Sequence, residues 1–305
     1  MTIIVYSDLI VPTGVVQAAP TGKLSRHNNR TANLGGYASV NAIRDFTLRE
    51  FTFGTIALPL DLWAQMRALY EITDAGTFGM LLADPTDSNI TATQGALMGY
   101  MAGVENGVVG FGNGTPLYGL RKLFTFPGST RAKAVTITRP NSTPAILRNG
   151  AAVTIGAGAG NVGLSSGPVY ATFVADASAN VSTVTVGATT QVVLASALSG
   201  LAIGGKLWLQ GLTGADAALL NNLAHTITGI SGSTYTLATS TVGKTVTPAG
   251  QGQKYPQPTD TLTFSGTYYV PVQFANDDMD WSLDMPGPNK LVSGPSVPLI
   301  EIREA

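Results

Sequence analysis

Two histidines, one acidic cluster and a few glycine-rich runs are the features of this 305-residue chain whose residue types could carry chemistry. A Ser-His-Asp arrangement needs one histidine placed between a carboxylate and an activated serine. His27 and His225 lie far apart in the sequence, and no serine occupies a GxSxG turn. His27 falls in RHNNR (26–30), which reads as a polar surface loop. His225, in LAHTITG, precedes a run of strand character and reads as a loop or packing residue. Asn276, Asp277, Asp278 and Asp280 form the acidic cluster. Such spacing could supply oxygen ligands to Ca²⁺, but the glycine at loop position 6 and the glutamate at position 12 of an EF-hand are missing. Paired glycosidase carboxylates would need a cleft that nothing in the pattern implies. An acidic turn between strands is the expectation there.

The remaining motifs are equally plain. GFGNG (110–114) and GAGAG (156–160) do not lead from a strand into a helix with a basic residue, as a phosphate-cradling loop must. They read as turns. Asp84-Pro85-Thr86-Asp87 has the residue order of a type I turn. The chain has no cysteine, which excludes disulfides, thiolate metal sites and cysteine nucleophiles. No catalytic residue, cofactor or metal is therefore expected, and the chain does not read as an enzyme.

The elements around these motifs are mostly strands. Ile3, Val5, Leu9 and Val11 lie in short β-type runs, and Gly35-Gly36 marks a turn. DFTLREFTF (45–53) alternates through Phe46, Leu48, Phe51 and Phe53, with Arg49-Glu50 breaking strict period 2, which predicts a strand with a bulge. One helix follows. Pro59 suits its first turn, Asp61 complements its dipole, and Leu62, Trp63, Met66, Leu69 and Tyr70 form one apolar stripe ended by Ala75-Gly76. Such a stripe predicts docking on a sheet. Residues 78–140 return to β patterns, and from Asn141 the composition shifts to Gly and Ala, then Val, Thr, Ala and Ser. Short strand-and-turn units between 183 and 237 suit a small barrel or sandwich, and GQGQKYPQPTD (250–260) reads as a linker. The expected fold is mainly β (α+β): a β-sandwich-like host domain with one docked helix, in two parts (1–174 and 256–305), and an inserted β module (175–255).

Charge narrows the functions. The chain has 17 Lys+Arg against 18 Asp+Glu, a net charge of −1, so it lacks the basic excess that neutralises phosphates. Nucleic acid is not expected as a primary ligand. Charged residues are 11% of the chain, against roughly 25% in ordinary soluble domains, which suits a surface covered by neighbours. MTIIVYSDLIVPTG has no basic segment or long apolar core, so no signal peptide is expected. No apolar run reaches the ~18 residues of a membrane span.

Three segments then resemble one known family. RHNNRTANLGGYASVNAIRDFTLREFTFG, the helix after it and GTFGMLLADPTD are similar to an Arg-Asn-bearing strand, helix and Asp-Pro turn in that family. KLFTFPGSTRAKAVTITRP (122–140) resembles its middle strand. TYYVPVQFANDDMDWSLDMPGPNKLVSGPSVPLIEIRE (267–304) resembles its ending, a VPV-type strand, an acidic turn and a final Pro-Leu-Ile-Glu-Ile-Arg. The family is the distal tail proteins of siphophage-like tails and gene transfer agents. Ala38, Ser39 and Val40 depart from it, since members often carry a Trp after the Arg-Asn element. LAIGGKLWLQGLTGADAALLNNLAHTITGISGSTYTL (201–237) in turn is similar to a small barrel that recurs in tail proteins and that many family members lack.

The resemblance implies a structural virion protein, made in the host cytoplasm and placed at the tail tip. It implies a homo-oligomer, a hexameric ring of heterologous interfaces joining the tail tube to the hub or baseplate, with DNA only as passing cargo. The final strand around Ile300-Glu301-Ile302-Arg303 is expected in the host sheet rather than on a neighbour's edge. Two other readings fit parts of the sequence. One is a host-surface or carbohydrate-binding tail protein acting through the inserted module, with Trp208, Tyr235 and Tyr170 as candidate contacts, although leucines on both sides make Trp208 a better core residue. The other is a cell-wall hydrolase, which lacks any acid/base constellation.

Overall fold

The computed structural model describes residues 3–18, 20–32, 38–43, 46–54, 56–101, 103–285, 290–293 and 297–304. The Gly35-Gly36 turn, Asp45 and the side chains of Ala38 and Ser39 lie outside the described residues. Strand makes up 49% of the chain and helix 8%, so the fold is mainly β. No described helix is long and apolar enough to cross a membrane. The chain divides into two compact units, residues 1–89 with 267–305, and residues 90–266.

In the first unit, six strands form one sheet in the order Val5–Ile10, Gly79–Leu82, Val270–Phe274, Val297–Glu301, Leu48–Phe53, Thr21–Ser25. The first pair is parallel and the rest are antiparallel. Val297–Glu301 is an interior strand. It pairs with Val270–Phe274 on one side and Leu48–Phe53 on the other, so both of its edges are used inside the host sheet. The helix Leu60–Ile72 starts after Pro59, carries Asp61 in its first turn and buries Trp63, Met66 and Leu69. Tyr70 meets the sheet residue Phe274 edge-on, with ring centroids 5.3 Å apart. Past the helix, Asp74, Ala75 and Gly76 all take positive φ, and a Cβ on Gly76 would run into the Phe274 carbonyl oxygen. Glycine is what this reversal needs.

The strand Leu48–Phe53 differs from its expected form. No bulge interrupts it: its register with Thr21–Ser25 and with Val297–Glu301 runs without a shift. Its burial alternates strictly, with Arg49, Phe51 and Phe53 facing in. Arg49 does not break the period-2 pattern; it occupies an inward position of it.

The second unit holds a nine-stranded sheet and a closed barrel. The barrel has six strands, in the order Ala177–Thr185, Thr190–Leu194, Thr234–Leu237, Leu223–Ser231, Lys206–Gln210, Gln251–Lys254. Its interior is filled by Val192, Leu194, Leu207, Leu209, Leu220, Ile227, Tyr235 and Leu237. Closure leaves no unpaired edge. The barrel strands run from Ala177 to Lys254, within the expected module 175–255, while the division into compact units falls after residues 89 and 266. Strands between residues 90 and 174 share a sheet with Leu262–Thr267: Ala145–Arg148 lies beside Leu262–Thr267, which lies beside Asn89–Met101. A shift in composition marks where residue types change, whereas strand pairing decides which segments share a unit.

One arginine joins barrel to sheet. Arg148, on a sheet strand, donates to both carboxylate oxygens of Asp176 at 2.7 and 2.8 Å and to Asp260 Oδ2 at 2.7 Å. Asp176 immediately precedes the first barrel strand, and its N–H donates to the carbonyl of Lys254 on the last one. Burial opposes the Arg148 charge, but the two carboxylates outweigh it and hold the guanidinium above its ordinary value. Bidentate pairing of this kind is strong and directional. Arg148→Ala is expected to speed amide exchange of residues 174–178 and 254–261 by about tenfold or more while the barrel interior keeps its protection, as hydrogen-exchange mass spectrometry of the full chain would measure.

Candidate functional site

The most highly organised polar cluster among the described residues is built around Arg49 in the first unit. An arginine on the inner face of a strand has to find partners, because an unpaired buried charge costs several kcal/mol. Arg49 Nη1 donates to Asp84 Oδ2 at 2.9 Å, and Nη2 donates to the Tyr268 hydroxyl at 3.1 Å. Nη2 also lies 3.3 Å from Asp87 Oδ2, and the Arg49 backbone N–H donates to Glu301 Oε2 at 2.9 Å. Tyr268 in turn donates a hydrogen bond from its hydroxyl to Asp87 Oδ2 at 3.0 Å. Burial works against the arginine's charge, while Tyr268, Glu301 and Asp87 more than compensate, so its pKa is raised. Burial, with help from Asp87, likewise pushes the Tyr268 phenol up, against the pull of Arg49, and the hydroxyl remains a donor.

Each partner is positioned locally. Asp84 spends its other oxygen on its own turn, accepting from Thr86 N at 2.9 Å, Thr86 Oγ1 at 2.7 Å and Asp87 N at 3.2 Å. The Asp-Pro-Thr-Asp sequence thus makes a turn, as its residue order implies, and that turn aims two carboxylates at Arg49. Glu301 sits at the end of the last sheet strand and lies 3.4 Å from Arg303 Nη2, which donates to the Thr47 carbonyl at 3.0 Å. The knot therefore draws on three segments far apart in sequence: the strand 48–53, the turn 84–87 and the C-terminal stretch 268–303. The Arg49 guanidinium, the Asp84 carboxylate and the Tyr268 hydroxyl are all engaged with one another or with their own turn. The knot's chemistry is to hold.

The residues singled out from sequence lie elsewhere. His27 is exposed. His225 is buried on the barrel's inner face, opposite Leu207. Its Nε2 is 2.9 Å from the Leu220 carbonyl and its Nδ1 2.7 Å from Thr239 Oγ1. A carbonyl only accepts, so Nε2 carries the proton and the Thr239 hydroxyl donates to Nδ1. Burial lowers the His225 pKa. Asn276, Asp277, Asp278 and Asp280 are all exposed, and Tyr70 donates its hydroxyl proton to the Asp277 backbone carbonyl. No group of three or more His, Cys, Asp or Glu among the described residues could hold a metal ion. GFGNG and GAGAG run through bends and turns without opening a helix. Asn113 of the former is buried, and its Oδ1 accepts from the Thr115 N–H at 3.2 Å.

The three aromatic residues proposed as carbohydrate contacts are not brought together. Tyr235 is fully buried in the barrel core, where its hydroxyl accepts from Leu198 N at 2.8 Å. Trp208 is buried against Tyr255, edge-on at 5.9 Å. Tyr170 is half-buried in the nine-stranded sheet beside Tyr100, 4.9 Å away. Packing takes up Tyr235 and Trp208, while Tyr170 keeps part of its surface on a different sheet.

No protein-family model matches the chain, and no curated protein matches it. The functional reading therefore rests on the residues and their geometry.

Sequence reasoning missed Arg49 as a site residue. The signal was present: the inward phase set by Phe51 and Phe53 includes position 49. Breaking the knot at its centre should be costly. Arg49→Ala is expected to lower stability by about 3–5 kcal/mol, and Arg49→Lys to recover only part of it, because one ammonium cannot reach a forked set of acceptors. Chemical denaturation of the purified variants measures both. His225 yields a pH dependence. Its folded pKa lies below the unfolded value near 6.5, so only the unfolded state takes up a proton as pH falls through that region. Stability should be constant above about pH 7 and decline from about pH 6.5 downward until the folded histidine titrates, and His225→Gln should flatten that decline in thermal melts.

Proposed function

We propose that this chain is a structural subunit of a phage-type tail tip, a distal tail protein whose copies form a closed ring between the tail tube and the hub. The observation that carries the reading is the convergence of family-like segments on one point. The strand 48–53, the Asp84–Asp87 turn and the C-terminal Glu301, each part of a stretch that resembles this family, meet at Arg49. Segments that resemble a family independently would not have to depend on one another; these do.

Surface chemistry supports the same role. Leu24, Ile43 and Trp281 of the first unit are 74%, 60% and 58% exposed, apolar side chains that a neighbouring copy would cover in a ring. In a ring, each copy offers one face to the next and a different face to the previous one, and closure sets the copy number. The work is mechanical: the ring passes the tube's symmetry to the hub and leaves a lumen for DNA. No step of chemistry is assigned to it.

The test is assembly. Purified chain should sediment above its 31.5 kDa monomer mass as concentration rises, and negative-stain electron microscopy should show closed rings, six copies being the expected number. A monodisperse monomer at every concentration and ionic strength, with no rings on the grid, would overturn the reading.

A further inference from the structure

The outer wall of the barrel carries a row of carboxamides. Asn180 pairs with Gln251 across the first and last barrel strands, and Gln251 pairs with Gln210 on its other side. The next ladder runs Leu209 to Leu223, and the Asn222 N–H donates to the Leu209 carbonyl at 2.7 Å, which places Asn222 beside Gln210. Cross-strand partners project to the same face. Their chain neighbours Ala179, Val181 and Leu209 fill the interior, so Asn180, Gln210 and Gln251 point outward, and Asn222, in the left-handed turn just before the strand Leu223–Ser231, is exposed beside them. At ~4.8 Å between strands the row is roughly 14 Å long.

These residues, with Val181, Gly211 and Gly250, line a recess of about 700 Å³. It is broad and open to solvent, a shape for a ligand that lies along the row rather than one that is enclosed. Gly250 takes positive φ, and a Cβ there would strike the Gln210 carbonyl and Gly211, so glycine is what lets the two backbone segments approach at this edge of the recess. No lining residue is ionisable.

The amides are also oriented from below. The buried Tyr255 hydroxyl donates to Gln253 Oε1 at 2.9 Å, Gln253 Nε2 to Gln251 Oε1 at 3.4 Å, and Gln251 Nε2 to Asn180 Oδ1 at 3.4 Å. A chain of this kind gives Gln251 and Asn180 a preferred sense. Among the described residues, the Gln210 and Asn222 side chains make no hydrogen bond within the protein, so their donors and acceptors face the recess unspent.

We propose that this recess binds a neutral glycan segment. A carboxamide sets an acceptor oxygen beside a donor NH₂, and adjacent sugar hydroxyls, each both donor and acceptor, match that pair. A row of four suits a short run of sugar rings. Absence of charge disfavours phosphorylated or acidic ligands and nucleic acid. An extended peptide would need a free sheet edge, and a closed barrel offers none. The site uses none of Trp208, Tyr235 or Tyr170, and it does not depend on ring formation.

The test uses the full chain on an array of neutral glucose-, galactose- and N-acetylglucosamine-based oligosaccharides, with phosphorylated glycans and extended peptides as the other arms, followed by calorimetry on the best neutral binder. Binding of a neutral oligosaccharide is expected, nearly independent of salt. Gln210→Ala and Gln251→Ala should each weaken it by roughly tenfold. Gln210→Glu, of the same size, should weaken it with an unchanged circular dichroism spectrum and melting curve, which separates loss of the site from loss of the fold. The proposal is overturned if no neutral glycan binds, if only charged glycans or peptides bind, or if the variants bind as tightly as the parent chain. Sedimentation of the same variants shows whether the ring reading stands or falls separately.

Discussion

A guanidinium buried on the inner face of a sheet is the constraint on which the first unit depends. Burying a charge is tolerable only when the protein returns the hydrogen bonds that water would have made. Arg49 obtains them from Asp84, Asp87, Tyr268 and Glu301, and none of these is near it in sequence. The unit is discontinuous, leaving after residue 89 and resuming at 267. The arginine therefore demands that the C-terminal stretch be present before its own strand is at low energy. Backbone pairing expresses the same dependence, because Val297–Glu301 sits between Val270–Phe274 and Leu48–Phe53 and closes the middle of the sheet.

The second unit meets a similar problem by related means. A barrel placed within a sheet-bearing unit must begin and end at nearly one point. The first and last barrel strands are paired, Ala177 opposite Lys254, so the chain leaves and returns side by side. Arg148 then clamps Asp176 and Asp260 just outside that junction. In both units an arginine fork, able to hold several acceptors in fixed directions, ties segments that the chain itself separates.

Much of the architecture was legible from local pattern. The helix Leu60–Ile72 follows from the spacing of Trp63, Met66 and Leu69 and from Pro59 and Asp61 at its start. The small barrel follows from short apolar strands between glycine turns, and the Asp84–Asp87 turn from its residue order. What misled was polarity at single positions. Arg49 read as an interruption because a charge is normally outside, and its neutralising partners lie 35 to 252 residues away. Trp208 and Tyr235 as surface contacts failed for the opposite reason: alternation assigns a residue to a face, but which face meets other protein depends on what packs there. Trp208 projects from the barrel wall and is still buried, against Tyr255.

The sequence by itself determined the class of fold, the helix and the absence of cysteine chemistry, since these depend on residue types and short-range periodicity. The polar run 250–260 reads as a linker, yet its residues Gln251–Lys254 are the strand that closes the barrel. Only the tertiary structure decided that Arg49 is the centre of a buried knot, that residues 90–174 belong with the barrel, and that Asn180, Gln251, Gln210 and Asn222 form one row. Each of these results from pairing between strands distant along the chain. Register brings such residues within a few ångströms of one another, and no local pattern in the sequence records which strands will become neighbours.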